Sequence, residues 1–150
     1  MPAPQFGDPE PGRAYRDRPA AFGILEREGR IAVVRVDKPG HPAWFDLPGG
    51  ALDPGEDQAQ AVVREFGEET GLRVRAGETY AHADQRFINT DGEAFNNRAG
   101  FLVLTLLSED PALKIEDDHT LVWLPAAEAL VRLRHEAHAW AVTAWLRLRR

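Results

Sequence analysis

Residues 50–72 read GALDPGEDQAQAVVREFGEETGL and contain a strong helical pattern. Apolar side chains recur there at positions i, i+3, i+4 and i+7, namely Ala59, Val62, Val63 and Phe66. This spacing predicts an amphipathic helix over residues 57–70. Asp57 and Gln60 have the spacing of a capping box at its start, and Gly71 is typical of a helix C-terminus.

Three of the six acidic residues in this segment, Glu65, Glu68 and Glu69, fall within five positions. On a helix they lie at i, i+3 and i+4, on one side. At roughly 100° per residue, they border the apolar stripe about 115–120° from its centre. Such carboxylates repel one another unless a divalent cation lies between them, and oxygen ligands suit Mg²⁺ or Mn²⁺. For these acids alone, a solvated helix face is the alternative.

Two neighbours support the metal-binding interpretation. Arg64 precedes the acids and can pair with Glu68 at i+4, and Glu56 is another partner within reach. Gly49 and Gly50 have no side chains, so backbone there can approach a ligand closely.

The composition limits the alternatives. The 150 residues, 43% of them hydrophobic, suffice for one folded domain. The net charge of -6 argues against binding to bulk nucleic acid, although a small polyphosphate remains compatible with local arginines and metal ions. There is no cysteine, so disulfides and thiolate metal sites are excluded. Without an apolar run of membrane-spanning length or a secretory signal, we expect a cytoplasmic protein that does not bind membranes.

The rest of the chain predicts a mixture of strands and helices. Residues 1–19 are expected to form an irregular arm, followed by a domain over residues 20–150. The apolar runs at residues 20–26 and 31–37 flank a short turn and predict a β-hairpin. Further strands are expected within residues 72–107 and at residues 119–125, with helices after Pro125. This order favours an α/β fold with a central mixed β-sheet covered by helices.

Residues 50–72 also resemble a known family signature. Gly50, Glu56, Arg64-Glu65, Glu68-Glu69 and Gly71 stand at the spacings of the complete Nudix box. The chain is therefore identified as similar to the Nudix hydrolases, which hydrolyse a phosphoanhydride bond of a nucleoside diphosphate linked to another group. The resemblance implies an α/β/α sandwich and a requirement for Mg²⁺ or Mn²⁺.

The resemblance also implies roles for the box residues. Glu65 and Glu69 match the main metal ligands, and Glu68 would assist them. The Gly50 carbonyl would be a further ligand. Arg64 would orient the catalytic glutamates, and Glu56 would support that arrangement. The general base would be Glu65, Glu69 or an acid outside the box.

Three residues outside the box are weaker candidates. Family members often add an acid from a later loop, where this chain has Glu116, Asp117 and Asp118, and Glu116 is favoured as a metal ligand. Ordinary loop acids are the alternative. Arg35 and Arg86 are candidate substrate-binding residues, although exposed strand arginines are equally common.

The predicted function is metal-dependent hydrolysis of a nucleotide. A nucleoside triphosphate or an oxidised nucleotide is favoured because the chain is short and has no added recognition domain. ADP-ribose or another nucleoside-diphosphate sugar comes second, and dinucleoside polyphosphates come third. A non-catalytic module that binds a nucleotide is the alternative from another class. A homodimer is compatible with the sequence.

Overall fold

The computed structural model describes residues 2–149, which form two β-sheets and three helices. The central sheet is mixed and has the strand order β1-β7-β8-β2-β6. Its strands are Gln5–Phe6 (β1), Arg16–Ile24 (β2), Gly49–Ala51 (β6), Leu72–Ile88 (β7) and Ala94–Glu109 (β8). β2 pairs in parallel with β8 and antiparallel with β6.

The second sheet is smaller and antiparallel, with β4 pairing to each of three neighbours. Its strands are Glu26–Arg27 (β3), Arg30–Val36 (β4), Trp44–Asp46 (β5) and His119–Pro125 (β9). The helices are Gln58–Thr70 (α1), Ala126–Arg132 (α2) and Glu136–Leu148 (α3), and a single 3-10 turn covers Pro111–Leu113.

Two hydrophobic clusters, one on each face of the central sheet, account for the layered arrangement. On one face, Val62 and Phe66 of α1 pack with Leu102 of β8. On the other, Trp145 of α3 packs with Phe101, also of β8. Because both faces are covered there, the second half of β2 is buried continuously, with no alternation. The predicted α/β/α sandwich with a mixed central sheet is confirmed.

The predicted hairpin between residues 20–26 and 31–37 is largely wrong. β2 pairs with β6 and β8 in the central sheet, whereas β4 belongs to the second sheet. Only the two-residue β3 pairs with β4 across the turn, so the chain changes sheets at Leu25. The residue pattern identified two strands correctly but could not identify their partners.

The first 19 residues are more regular than the sequence indicated. β1 pairs in parallel with β7, and β2 already begins at Arg16. The side chains of Gln5 and Asn96 exchange hydrogen bonds of 2.9 and 3.1 Å, which join this segment to β8. No helix within residues 2–149 combines the length and apolar character needed to cross a membrane.

Candidate active site

The helix that bears the acidic residues has well-defined ends. Asp57 accepts a hydrogen bond from the Gln60 amide, and the Gln60 side chain accepts one from the Asp57 amide. Gly71 has a φ of 73°, a left-handed conformation that favours glycine. Phe66 is fully buried, which fixes the rotation of α1 against the sheet. The predicted helix, capping box and C-terminal glycine are all confirmed.

We call Glu65, Glu68 and Glu69 the carboxylate cluster. Glu69 is its most buried member, with 6% of its surface exposed. Its Oε1 accepts a 3.1 Å hydrogen bond from the Gly49 amide, and its Oε2 lies 3.5 Å from His119 Nε2. Burial, followed by the negative charge of Glu65, raises the pKa of Glu69 well above its ordinary value. This carboxylate is therefore held in place at a high electrostatic cost.

Glu65 lies directly against Gly50. A Cβ atom on residue 50 would be 2.9 Å from Glu65 Oε1 and 3.0 Å from Glu65 Cδ, so any other residue there would displace the Glu65 carboxylate. Burial raises the pKa of Glu65, although the adjacent Arg64 partly opposes the effect. The helix α1 thus brings the Glu65 carboxylate into contact with the backbone of Gly50.

Arg64 connects five acidic or carbonyl groups, one of which is Asp53, 3.2 Å from its Nε. Its Nε and Nη2 donate to the two oxygens of Glu56 at 2.8 and 2.9 Å, and Nη2 also donates to the Ala51 carbonyl at 3.2 Å. Its Nη1 lies 3.0 Å from both Glu65 and Glu68. The bidentate contact with Arg64 lowers the pKa of Glu56. Both pairings predicted for Arg64 are present.

Glu116 is brought to the carboxylate cluster by backbone hydrogen bonds. The amides of Ile115 and Glu116 donate to the Glu68 carbonyl at 2.9 and 3.0 Å. The charge of Glu116 adds to the effects that raise the pKa values of Glu65 and Glu69, of which burial is the largest. Glu116 therefore faces the cluster from the loop that precedes β9.

The two other acids of this loop lie in different environments. Asp118 pairs with Lys38, and this contact lowers the pKa of Asp118. Ligand atoms of Glu116, Asp118 and His119 lie within 4.8 Å of one another. Asp117 is exposed.

The donor set fits a hard divalent cation. The cluster and Glu116 supply carboxylate oxygens, the ligand type that Mg²⁺ and Mn²⁺ prefer. Burial raises the pKa values of Glu65 and Glu69, and a cation between them would offset that effect. Gly50 leaves the space that a Cβ atom would fill. The residues present are thus compatible with the metal that the sequence predicts.

An open cleft begins at Gly49, Gly50 and Glu69 and extends over the face of the central sheet that carries α3. The rest of its lining combines aromatic, cationic and polar groups. These are Arg18, Trp44, Asp46, Phe87, Asn97, Arg134, His135 and His138. The cleft therefore combines a buried carboxylate with cationic and aromatic side chains, as expected for a site that binds a phosphorylated compound.

Arg35 and Arg86 do not line this cleft. Arg35 is exposed and lies 3.4 Å from Asp37, and Arg86 donates to the Gly7 carbonyl at 3.2 Å. Successive side chains of a strand point to opposite faces, and it is the neighbours Val36 and Phe87 that line the cleft. The structure thus places both predicted substrate-binding arginines away from the other candidate residues.

Sequence reasoning did not identify the cations that do line the cleft, which are Arg18, Lys38 and Arg134. Arg18 follows the period of two set by the buried residues Ala20 and Phe22 on β2, and this register was a usable signal. Arg134 belongs to the segment between α2 and α3, where no periodic pattern indicated its position. It pairs with Asp46 at 2.9 Å.

His135 and His138 are accounted for by packing. Burial lowers their pKa values to about 3 and about 4, so both rings are neutral near pH 7. The Leu47 amide donates to His138 Nδ1 at 3.1 Å, and the His138 ring lies 4.4 Å from the ring of Phe22. His135 precedes the first residue of α3, His138 lies in its first turn, and both line the cleft.

Comparison with known proteins agrees with this geometry. Residues 14–146 match the family model of the NUDIX domain. A CTP pyrophosphohydrolase from Escherichia coli is 31% identical over 108 residues, which cover 71% of this chain and 75% of that protein. An ADP-ribose pyrophosphatase from Methanocaldococcus jannaschii is 42% identical, but only over 53 residues, or 35% of this chain and 31% of that protein. A solved NUDIX hydrolase from Nitrosomonas europaea superposes with a TM-score of 0.72 at 18% identity, covering 90% and 92% of the two chains.

Proposed function

Because the chain belongs to the NUDIX domain family and is a Nudix hydrolase, we propose that it hydrolyses a phosphoanhydride bond of a small nucleotide, with a nucleoside triphosphate as the favoured substrate. One observation carries the proposal. Glu65 lies against Gly50, and Glu69 accepts a hydrogen bond from the Gly49 amide. Gly49, Gly50 and Glu69 line a cleft whose other lining groups include aromatic and cationic side chains. That arrangement suits a ligand with a diphosphate at one end and a nucleoside at the other.

Hydrolases of this family generally use a divalent metal, and we propose Mg²⁺ or Mn²⁺. Glu65 and Glu69 would be the main ligands, with Glu68, Glu116 and the Gly50 carbonyl adding oxygen donors. When bound, the cation supplies charge neutralisation of the diphosphate and lowers the pKa of a water molecule. Arg64 holds two of these carboxylates in place through its contacts of 3.0 Å with Glu65 and Glu68.

The reaction places specific demands on the protein's own groups. Water attacks a phosphorus atom, the P–O anhydride bond breaks, and the leaving phosphate takes the electron pair. The proton of the attacking water passes to a nearby carboxylate, which we assign to Glu65, Glu69 or Glu116.

The preference for a nucleoside triphosphate is supported by the extent of the similarity. The relative that acts on CTP matches across most of both chains, whereas the relative that acts on ADP-ribose matches over about a third of each. ADP-ribose and other nucleoside diphosphate derivatives, including dinucleoside polyphosphates, are the second candidates. We also propose, from the sequence alone, a cytoplasmic location and a homodimer.

The test is a substrate panel with products identified by mass. It contains nucleoside triphosphates, an oxidised guanine nucleotide, ADP-ribose, a nucleoside-diphosphate sugar and a dinucleoside polyphosphate, each with Mg²⁺, with Mn²⁺ and with a chelator. Reactions in ¹⁸O-labelled water identify the phosphorus that is attacked. We expect metal-dependent hydrolysis of at least one nucleoside triphosphate. No hydrolysis across the panel, together with tight binding of a nucleotide, would support the non-catalytic module instead.

A further inference from the structure

Among the residues that the structure describes, one cation in the cleft forms no ion pair. Arg18 is half-buried, and its Nε donates to Asn97 Oδ1 at 2.8 Å. Its guanidinium carbon lies 4.4 Å from the ring centre of Phe95 and 5.3 Å from that of Phe87. Within residues 2–149, no carboxylate forms an ion pair with Arg18, and its two terminal nitrogens make no hydrogen bond. The cleft therefore contains a positioned guanidinium with free donors.

The other cations of the cleft are neutralised. Arg134 pairs with Asp46 at 2.9 Å, and Lys38 pairs with Asp118. Burial, together with the positive charges of Arg16 and Arg134, lowers the pKa of Arg18. The charges of Glu65 and Asp91, which form no ion pair with it, oppose this effect only in part, and the arginine stays protonated at neutral pH. A half-buried charge without a counter-ion is unfavourable. An anionic ligand at this position would therefore bind strongly.

The free donors indicate which kind of anion fits. A guanidinium presents its N–H groups as a planar fork that matches two oxygens of a phosphate or carboxylate. Phe95 and Phe87 support the plane of this fork, which limits the loss of side-chain freedom on binding. The uncharged edge of a base would accept the same hydrogen bonds but would leave the positive charge without compensation. A phosphate accepts these hydrogen bonds and also compensates the positive charge.

The position of Arg18 separates this phosphate from the hydrolysed diphosphate. Along β2, Arg18 precedes Ala21 by three residues, and Ala21 pairs with Gly50 beside the carboxylate cluster. Three residues of an extended strand span about 10 Å. Adjacent phosphates of one polyphosphate chain lie much closer together than this. The separation is comparable with the length of one nucleoside.

We propose that Arg18 binds a second phosphate group, carried by the nucleoside part of the substrate, and so selects nucleotides that are phosphorylated on both sides of the ribose. This inference rests on the proposed function, because the first phosphate position is that of the carboxylate cluster. A free nucleotide with a 3′-phosphate and the 5′-terminal residue of a short oligonucleotide share this chemistry. In both, the second phosphate follows the ribose.

A binding experiment tests the inference without relying on turnover. Isothermal titration calorimetry compares adenosine 3′,5′-bisphosphate with adenosine 5′-monophosphate in the presence of Mg²⁺, so that the contribution of the base is common to both ligands. We expect the bisphosphate to bind about tenfold or more tightly, the usual effect of a charge-assisted hydrogen bond to phosphate. In Arg18→Gln the two dissociation constants should become nearly equal. Arg18→Lys should keep part of the preference, because it retains the charge but loses the fork.

Arg30→Gln is the matched control, because it removes an exposed arginine from the start of β4 and should keep the full preference. Thermal melting of each variant establishes that it is folded. Equal affinities in the unsubstituted protein, or an undiminished preference in a folded Arg18→Gln, would overturn the inference.

Failure of the inference differs visibly from failure of the proposed function. Hydrolysis of nucleoside triphosphates without a preference for the bisphosphate would retain the function and remove the inference. A clear preference in binding without any hydrolysis in the panel would retain the site and remove the function. A 5′-phosphorylated dinucleotide distinguishes the two sources: tight binding supports an oligonucleotide end, and weak binding beside a tightly bound bisphosphate supports a free nucleotide.

Discussion

Replacing Glu69 by Gln should abolish most of the activity and yet stabilise the metal-free protein. Glu69 is 6% exposed, and burial and Glu65 raise its pKa. The Gln side chain has nearly the same shape, and its Oε1 can still accept the 3.1 Å hydrogen bond from the Gly49 amide. The substitution therefore removes a charge while leaving the packing intact.

The direction of the stability change follows from the pKa of Glu69. A carboxylate whose pKa is raised in the folded state keeps its proton to a higher pH there than in the unfolded state. The stability that it contributes is thus complete below its unfolded pKa and is lost as the pH rises through the folded value. In metal-free Glu69→Gln this loss should disappear. Relief of the burial cost of this charge and of its repulsion by Glu65 corresponds to about 1–3 kcal/mol of unfolding free energy.

Two measurements check this prediction. Urea denaturation near pH 8 with a chelator should give a higher unfolding free energy for Glu69→Gln than for the unsubstituted protein. The increase in melting temperature on adding Mg²⁺ should be much smaller in the variant, and turnover should fall about a hundredfold or more. Glu78→Gln, at an exposed position of β7, is the control for net charge and should change neither property. A metal-free Glu69→Gln that is less stable, or that keeps the full response to Mg²⁺, would refute the reasoning.

Three other substitutions test separate parts of the site. Gly50→Ala should lower turnover about 10–100-fold, because its Cβ would lie 2.9 Å from Glu65 Oε1, while the unfolding free energy changes by no more than about 1 kcal/mol. His138→Asn should reduce the loss of stability at low pH. Burial lowers the pKa of His138 to about 4, so unfolding takes up a proton between roughly pH 6.5 and 4. This proton uptake lowers the unfolding free energy by at most about 3 kcal/mol. Glu116→Gln should raise the Mg²⁺ concentration needed for half-maximal rate by about tenfold.

Controls for these variants use exposed residues of the same type. His41→Asn, measured by urea denaturation at about pH 7 and pH 4.5, should keep the stability loss that His138→Asn diminishes. Asp117→Asn is the control for Glu116→Gln in rates measured against Mg²⁺ concentration. An unchanged rate and metal dependence in Glu116→Gln would remove that residue from the site. Normal turnover of Gly50→Ala would show that the close approach to Glu65 is unimportant.

Local features of the site could be predicted from the sequence because they depend on short spacings. The bounds of α1, its capping box and the pairing of Arg64 with Glu68 follow from positions a few residues apart along one helix, and Glu56 lies just before that helix. The partners of the strands could not be predicted in this way. Apolar runs identify β2 and β4 as strands, but each run is compatible with pairing on either side.

The same limitation affected the substrate-binding arginines. Arg35 lies near the end of β4, yet the cleft-lining side of that strand is the side of Val36. Arg18 lies on the cleft-lining side of β2, but the proline-rich composition of residues 1–19 predicts an irregular arm with no alternation. Successive side chains of a strand point to opposite faces, so the face on which a strand arginine lies determines whether it reaches the cleft. Its distance along the sequence from residues 50–72 does not.

The two hydrogen bonds to the Glu68 carbonyl make the position of Glu116 independent of the length of chain between them. Forty-odd residues, including the long β7 and β8, separate the helix from the loop. Because the loop is tied to the helix end directly, the exposed connection around Gly92 can be lengthened or shortened without moving this acid. A peptide or a small domain inserted at that connection should therefore leave metal binding intact, which makes it a suitable place to attach a reporter.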